Sequence, residues 1–433
     1  MSAAVETGAG IATRTAGERL RLLVEAESPT RHASGIAECH RLLDSWAAPL
    51  FGRPGEIRRV DGVEHLYWPA RSEGGVLLLG HTDTVWPLRT IERIPYAVCE
   101  GRATGPGTFD MKAGLVAMIG ALEALASNDE PLDDVSLLVT SDEEIGSLTS
   151  RQLIEEAALR SGTVLIAEPS LAGAVKVARR GAGIYRLEAI GRAAHAGLEP
   201  ELGANALIEI SHQVLRLVEA ADPELGTTVT PTVSSSGTTV NTVPDRAEVH
   251  LDVRAWSLEE LERIDHCLRT LTPVVPGVSL ELSGGINRPP LQRDRAQGLY
   301  EQARSVAEAL GQAPLECAEV GGGSDGNFTA AIGIPTLDGL GPLGDGAHAP
   351  HEWVDLTSIV ERSQLIAGLI ERLRVSPSPA STTAPLRLKG STHERALRRN
   401  RRIRSCIEVG NPLPHPAPHD CAPRRRGTGH GTR

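Results

Sequence analysis

Three acids stand in a row at Asp142-Glu143-Glu144, after the Leu- and Val-rich run 135–139 and the pair Thr140-Ser141 and just before Gly146. Like charges this close repel, so a folded chain keeps them where water solvates them or a cation neutralises them. Other segments repeat the design. His81-Thr82-Asp83 follows the apolar run 76–79, Asp110 sits in Gly105-Pro106-Gly107-Thr108-Phe109-Asp110, Glu168 closes the run 163–167, and His348 lies in Gly346-Ala347-His348-Ala349-Pro350. Strand carboxyl ends are where open α/β sheets assemble their chemistry. Imidazole and carboxylate suit divalent zinc, and cobalt and manganese accept the same donors. A two-metal centre needs about one His and one terminal carboxylate per ion plus one shared carboxylate. His81, Asp110, Glu144, Glu168 and His348 meet that inventory, with Asp110 as the bridge. Asp83 is placed to accept the other ring N–H of His81 and fix its tautomer. Glu143 remains as general base towards an attacking water. Taken singly, each residue has an ordinary structural explanation, and His351 competes with His348 as a ligand.

The elements that must carry these residues follow from apolar patterning. Continuous apolar runs at 76–80, 135–139 and 163–167 read as strands buried on both faces. Helices are expected near 16–27, 33–49 and 149–159, with a weak strand near 57–68. Leu115, Met118, Ile119, Leu122 and Leu125 predict a helix with one buried stripe just after Asp110. From about 175 the rhythm changes: strands near 175–190, 227–234, 247–254 and 278–283 surround amphipathic helices near 202–220 and 257–271. That is an α+β pattern set inside an α/β one. The first pattern resumes near 286 with a helix at 294–311, the loop Gly321-Gly322-Gly323-Ser324-Asp325-Gly326, a short strand and a last helix to about 373. The expected fold is α/β: a mixed-sheet catalytic domain made of 15–176 and 287–375, interrupted by an α+β lid or dimerisation domain at 177–286. Residues 1–14 and the Pro-, Ser- and Arg-rich 376–433 are expected to be disordered.

Composition narrows the function classes. The chain has 433 residues, 40% of them hydrophobic and only 3% aromatic, enough for two aliphatic cores. No apolar run approaches the roughly 20 residues of a membrane-spanning helix, and the amino terminus shows no secretory pattern; a cytoplasmic protein is expected. The six cysteines, at 39, 99, 267, 317, 406 and 421, form no CxxC pair and suggest neither a disulfide framework nor a thiolate metal site. Net charge is −11, although 376–433 carries twelve Arg or Lys against three acids. A body this acidic argues against nucleic-acid binding.

In order along the chain, the motifs G-H-x-D-T-V (from Gly80), G-P-G-x-x-D-M-K-x-G (from Gly105), S-x-E-E-x-G-S (from Ser141), A-E-P-S (from Ala167), H-A-G (from His195) and G-x-H-x-P (from Gly346) resemble a family of co-catalytic zinc peptidases and deacylases. That family contains the carboxypeptidase G type glutamate carboxypeptidases, acetylornithine deacetylase and succinyl-diaminopimelate desuccinylase. The resemblance spans about 15–373. The segment 194–207 and the Gly321 to Asp325 loop look most like the glutamate carboxypeptidases. It implies two Zn2+ per subunit, one on His81 and Glu168 and one on Glu144 and His348, with Asp110 between them and a cis peptide after it. It also favours His348 over His351. From the inserted domain it implies His195 as oxyanion donor, reaching a partner protomer's site in dimeric relatives, and Asn241 and Arg254 as receptors for the substrate's terminal carboxylate. The amides of Gly321, Gly322 and Gly323 would hold the other end. The implied reaction is hydrolysis of an amide bond next to a free carboxylate, on a small peptide or N-acyl amino acid, by a homodimer paired through the inserted domain. An N-acyl amino acid deacylase is the nearest alternative; a noncatalytic ligand-binding relative is a more distant one.

Overall fold

Apolar side chains on successive positions require cover on both faces of a strand. The computed structural model describes residues 8–128 and 130–375. Its first part runs α1 (Gly8–Glu25), α2 (Ala33–Phe51), β1 (Glu56–Val60), β2 (Val63–Trp68), β3 (Val76–His81), β4 (Ala97–Cys99), β5 (Arg102–Thr104), α3 (Ala113–Ser127), β6 (Val135–Thr140), α4 (Arg151–Arg160), β7 (Thr163–Ile166) and β8 (Val175–Arg179). There follow β9 (Gly181–Ile190), α5 (Ala206–Glu219), β10 (Thr228–Ser236), β11 (Arg246–Ala255), α6 (Leu258–Arg269) and β12 (Ser279–Arg288). The chain closes with α7 (Arg293–Ala309), β13 (Cys317–Val320), α8 (Gly326–Ala331), β14 (Thr336–Leu337), β15 (Gly344–Asp345), β16 (Trp353–Asp355) and α9 (Leu356–Val375). The expectations for 1–7 and 376–433 lie outside the described residues. Among the described residues no helix is long and apolar enough to cross a membrane.

The main sheet has the order β1-β2-β6-β3-β7-β14. β3 runs parallel to both β6 and β7, while β1 and β2 form an antiparallel edge. Side chains alternate faces. Val76, Leu78, Val135, Leu137 and Val139 enter the core shared with α1, α2, α3 and α9. Leu77, Leu79, Leu138, Val164 and Ile166 meet Ile154 and Phe328 on the other face. Each such buried side chain stabilises the fold by roughly 1.5–3 kcal/mol. The sheet is thereby a rigid floor whose β3, β6 and β7 end at the same edge.

Three expectations are corrected here. The helix after Asp110 is buried on more than one stripe: Val116, Ala117 and Ala121 are buried with the expected residues, because α3 is covered by α1, α2 and α9 as well as by the sheet. The single strand 175–190 is broken at Arg180, where the chain leaves β8, paired in parallel with β13, for β9 in a second sheet. The first helix also starts earlier than expected, at Gly8, inside the stretch read as disordered; residues 10–15 contain no buried position, so apolar periodicity had nothing to mark there.

The second sheet, β10-β11-β9-β12, is antiparallel and has its own core. Leu187 and Ala189 of β9 and Val249, Leu251 and Val253 of β11 pack on Ile210 and Leu217 of α5 and Leu261, Ile264 and Leu268 of α6. The other face is polar, with Arg186 and Arg246 paired to Glu188 and Glu248. Asn205 caps α5 and Ser257 caps α6 by accepting first-turn N–H bonds. Where the chain passes between sheets, the two connections bond each other, Arg179 N to Leu291 O at 3.0 Å and Leu291 N to Arg179 O at 3.1 Å.

Candidate metal centre

Each segment that carries a candidate residue is placed by a local device. His81 is the last residue of β3. Asp110 precedes α3, and Gly107 before it adopts φ 73°, where a Cβ would meet Thr84 Cγ2 at 2.6 Å. Gly114 lets α3 approach the end of β7, since a Cβ there would lie 1.9 Å from the carbonyl oxygen of Ala167. The peptide between Asp110 and Met111 is cis, as the resemblance implies. His348, at φ 63°, lies in the hairpin turn joining β15 to β16. The three acids divide. Asp142 turns away to accept bonds from Thr149 N and Oγ1 and Ser150 Oγ at the start of α4, while Glu143 and Glu144 stay at the sheet edge.

The five residues converge. Asp110 presents Oδ1 to His81 Nε2 at 3.4 Å and Oδ2 to His348 Nε2 at 3.3 Å. Glu168 Oε1 lies 3.4 Å from His81 Nε2, and Glu144 Oε2 lies 3.2 Å from His348 Nε2. One carboxylate therefore faces two imidazoles, each of which also meets a second carboxylate. Glu143 belongs to the same neighbourhood, with a carboxylate oxygen within 4.8 Å of His81 and Glu168 donor atoms. His351 is exposed. His81 Nε2 and Glu144 Oε1 are buried and have no hydrogen-bond partner among the described residues. Lone-pair donors converging on one another, two of them orphaned, fit divalent cations better than any hydrogen-bonding scheme.

The electrostatics carry the same message. Hydrogen bonds to Asp110 and Glu144 push His348 up to about 10. Burial pushes Glu144 up to about 7, and the charge of Asp110 adds to it. Burial also raises Glu168, again with Asp110 adding. Burial opposes ionisation of Asp110, but the His348 and His81 imidazoles hold its carboxyl well below the usual range. Burial likewise opposes charge on His81, yet Asp110, Asp83 and Glu168 outweigh it and raise the imidazole well above its ordinary value. The cluster thus demands positive charge at the two positions between carboxylate and imidazole.

A sequence profile of the peptidase family M20/M25/M40 matches residues 77–372, which include every member of this cluster. The chain belongs to that family. Carboxypeptidase G2 of a Pseudomonas species (strain RS-16) is 31% identical over 364 residues, covering 81% of this chain and 87% of its own length. The succinyl-diaminopimelate desuccinylase of Thioalkalivibrio sulfidiphilus is 27% identical, covering 82% and 97% respectively. The solved structure of the Bacillus subtilis YXEP protein, described as a dinuclear metal-binding M20 peptidase, shares the fold at a TM-score of 0.60 and 17% identity, covering 84% of this chain and 99% of that one. This M20 chain is a metal-dependent hydrolase of the metallopeptidase and deacylase class.

Around the M20 cluster, Asp83 does more than the sequence suggested, and two buried arginines, Arg179 and Arg288, went unnoticed there. The Asp83 carboxylate accepts from Thr30 Oγ1 at 2.7 Å and from the amides of Glu143 and Glu144 at 3.2 Å. His81 Nδ1 instead donates to the Asp83 carbonyl oxygen at 3.0 Å, the carboxylate being 3.4 Å away. Asp83 thus orients the histidine through its main chain and the acid turn through its side chain. Arg288, at the end of β12, donates to Glu143 Oε1 at 2.5 Å, Glu143 O at 3.0 Å and Ser147 Oγ at 2.9 Å. Arg179 pairs with Asp338 at 2.6 Å, lies 3.6 Å from Glu168 Oε2 and donates to the carbonyls of Gly322 and Gly323. A faint signal existed: Arg179-Arg180 interrupts an apolar strand, and a charge there must find a partner.

The remaining residues expected in this M20 site bond within their own neighbourhoods. His195 is exposed, and its Nδ1 accepts from the amides of Gly197 and Leu198 at 3.1 Å. It pairs across to Thr242, and Asn241 O accepts from Ala196 N at 2.9 Å, so the His195 and Asn241 loops lie side by side. Arg254 has its fork on Asp252, with both bonds at 2.8 Å. A Cβ on Gly321 or Gly322 would meet nothing within 4 Å, while one on Gly323 would lie 3.3 Å from Arg288 Cδ.

Proposed function

We propose that this protein cleaves the amide bond next to a C-terminal carboxylate and releases glutamate from peptidyl or N-acyl conjugates. The observation that carries the reading is the single Asp110 carboxylate set between His81 and His348, with Glu143 beside it. The 31% identity to carboxypeptidase G2 favours this branch. His81 and Glu168 would hold one divalent ion, Glu144 and His348 the other, and Asp110 both. When bound, the ions polarise the scissile carbonyl and lower the pKa of the attacking water. Glu143 takes the proton from that water and returns it to the leaving nitrogen. Arg288 holds the Glu143 carboxylate in one orientation. With Nδ1 of His195 occupied as an acceptor, its proton resides on Nε2, the tautomer that donates to a developing oxyanion. Arg254 and Asn241 receive the substrate's carboxylate, and the open backbone at Gly321 and Gly322 accommodates its other end.

The lid would also pair two protomers. Support comes from apolar side chains left in solvent on α5, including Leu207, Ile208 and Leu215, from the unpaired edge of β10, and from Leu198 and Val240 beside His195 and Asn241. Similarity to the desuccinylase supports a second reading, deacylation of an N-acyl amino acid by the same residues. A panel of peptidyl glutamates, N-acyl glutamates, N-succinyl-diaminopimelate and N-acetylornithine, assayed with zinc restored, separates the two. The carboxypeptidase reading requires the highest kcat/KM on a glutamate-releasing substrate; faster turnover of an N-acyl diamino acid would replace it.

A further inference from the structure

Glu352 is 1% exposed, and all four donors that reach its carboxylate are neutral. Oε1 accepts from Phe109 N at 2.8 Å and Asp110 N at 3.0 Å. Oε2 accepts from Gly107 N at 2.8 Å and Trp86 Nε1 at 3.0 Å. Burying an unpaired carboxylate costs several kcal/mol, so its presence calls for a reason beyond filling space. Its bonds tie together three stretches that each carry or follow a member of the cluster: the segment after His81, the Gly105 to Asp110 loop, and the turn that holds His348. β16 pairs with β5, Trp353 opposite Thr104, which sets the second and third side by side. Glu352 N then donates to Ala349 O at 2.9 Å, closing the His348 turn.

We propose that Glu352 is the positioning residue that aims Asp110 at both ions at once. The proposal rests on the two-ion reading of the cluster. Asp110 has to direct one oxygen to each of two imidazoles, and such a site tolerates an error of only about 0.5 Å. Fixing the amide planes on both sides of Phe109 fixes the N–Cα bond of Asp110 and leaves rotation about that bond as the one backbone freedom that aims its side chain. A carboxylate does this and an amide cannot: glutamine has one acceptor oxygen, and its NH2 would face N–H donors and leave two of them unpaired. The role is to set coordination geometry, with no contact to the reacting atoms.

The test compares Glu352→Gln and Glu352→Asp with the unchanged protein. Each is stripped of metal, titrated with Zn2+ against a chromophoric chelator and with Co2+ by visible absorption, and unfolded thermally. Glu352→Gln is expected to weaken at least one of two bound ions by about 10–100-fold, to change the cobalt spectrum even at saturation, and to lower kcat at saturating metal more than it raises KM. Glu352→Asp keeps the charge but withdraws it from one side of the loop, and should show the same changes to a smaller degree. Wild-type affinity and cobalt spectrum in whichever variant folds would overturn the proposal, whatever happens to Tm, because a purely structural carboxylate lowers Tm alone. If the unchanged protein fails to take up two ions, the two-ion reading fails instead.

Discussion

The cluster at the edge of the main sheet and the polar loops of the second sheet both present side chains for chemistry, but they hold them by opposite means. His81, Glu144 and Glu168 sit at or just beyond the ends of strands buried on both faces, braced by further buried polar groups such as Asp83, Arg179 and Glu352. His195 and Arg254 sit on a sheet covered on one face only, and each is braced by its own neighbours, the Gly197 and Leu198 amides or Asp252. The first arrangement suits groups that must not move during reaction. The second suits recognition, where a side chain exchanges an internal partner for a substrate. The contrast predicts that changes at the cluster act on metal content and kcat, and that changes at the second sheet act on binding of the substrate or the transition state while metal content and stability stay nearly unchanged.

The largest expected effect is at Glu143. Glu143→Ala should lower kcat by about 10²–10⁴-fold, the range for losing a general base, while metal content stays at the wild-type value. Loss of an ion in that variant would make Glu143 a ligand, consistent with its closeness to His81 and Glu168. Next comes His195→Gln, for which a fall of about 10²–10³-fold in kcat is expected if it donates to the oxyanion. Because His195 is exposed, Tm should not change. A matching loss of Tm would show that the second sheet is braced like the first and remove the contrast.

Legibility in the sequence follows the same division. The strands under the cluster were readable because burial on both faces leaves unbroken apolar runs, and the acids and histidines stood out by ending them. The break at Arg180 was marked only by the charges of Arg179 and Arg180, which call for partners but do not announce a change of sheet between two apolar strands. Glu352 stands two residues beyond the His348 motif, yet its partners at 86 and 107–110 are far away in sequence. Arg288 likewise meets Glu143 only through the crossing between sheets. For Arg254 the residue type was suggestive, but its pairing with Asp252 along the same strand depends on side-chain conformation rather than pattern.

Beneath the acid turn the buried layer makes a test in pH. His40 is 3% exposed, its Nε2 lies 3.2 Å from Ser141 Oγ, and its Nδ1 has no hydrogen-bond partner among the described residues. Burial first, then repulsion from His65, pushes it down to about 4 from an ordinary 6.5. The unfolded chain then binds more protons between those values, so this group contributes stability above about pH 6.5 and loses it progressively as pH falls towards 4. At roughly 1.4 kcal/mol per tenfold change the loss is about 3 kcal/mol at most. Denaturant unfolding from pH 7 to 4 should fall less steeply for His40→Gln than for the unchanged protein; parallel curves would show that His40 is not the group responsible. A substitution confined to the second sheet should leave this slope alone.

The smallest effect expected is at Arg254, and it sharpens the contrast most. The guanidinium already holds a carboxylate in both forks, so an incoming substrate carboxylate gains only the difference between itself and Asp252. Arg254→Met should therefore raise KM by only about tenfold, the lower end of what a charged hydrogen bond contributes, with kcat little changed. Asp252→Asn should act the other way and lower KM a little, because the arginine is then released more easily. Opposite signs at two residues bonded to each other are the signature of exchange between an internal and an external partner. If both substitutions raise KM alike, the pair is a fixed brace, Arg254 is no carboxylate receptor, and the buried Arg288 becomes the arginine to test for that role.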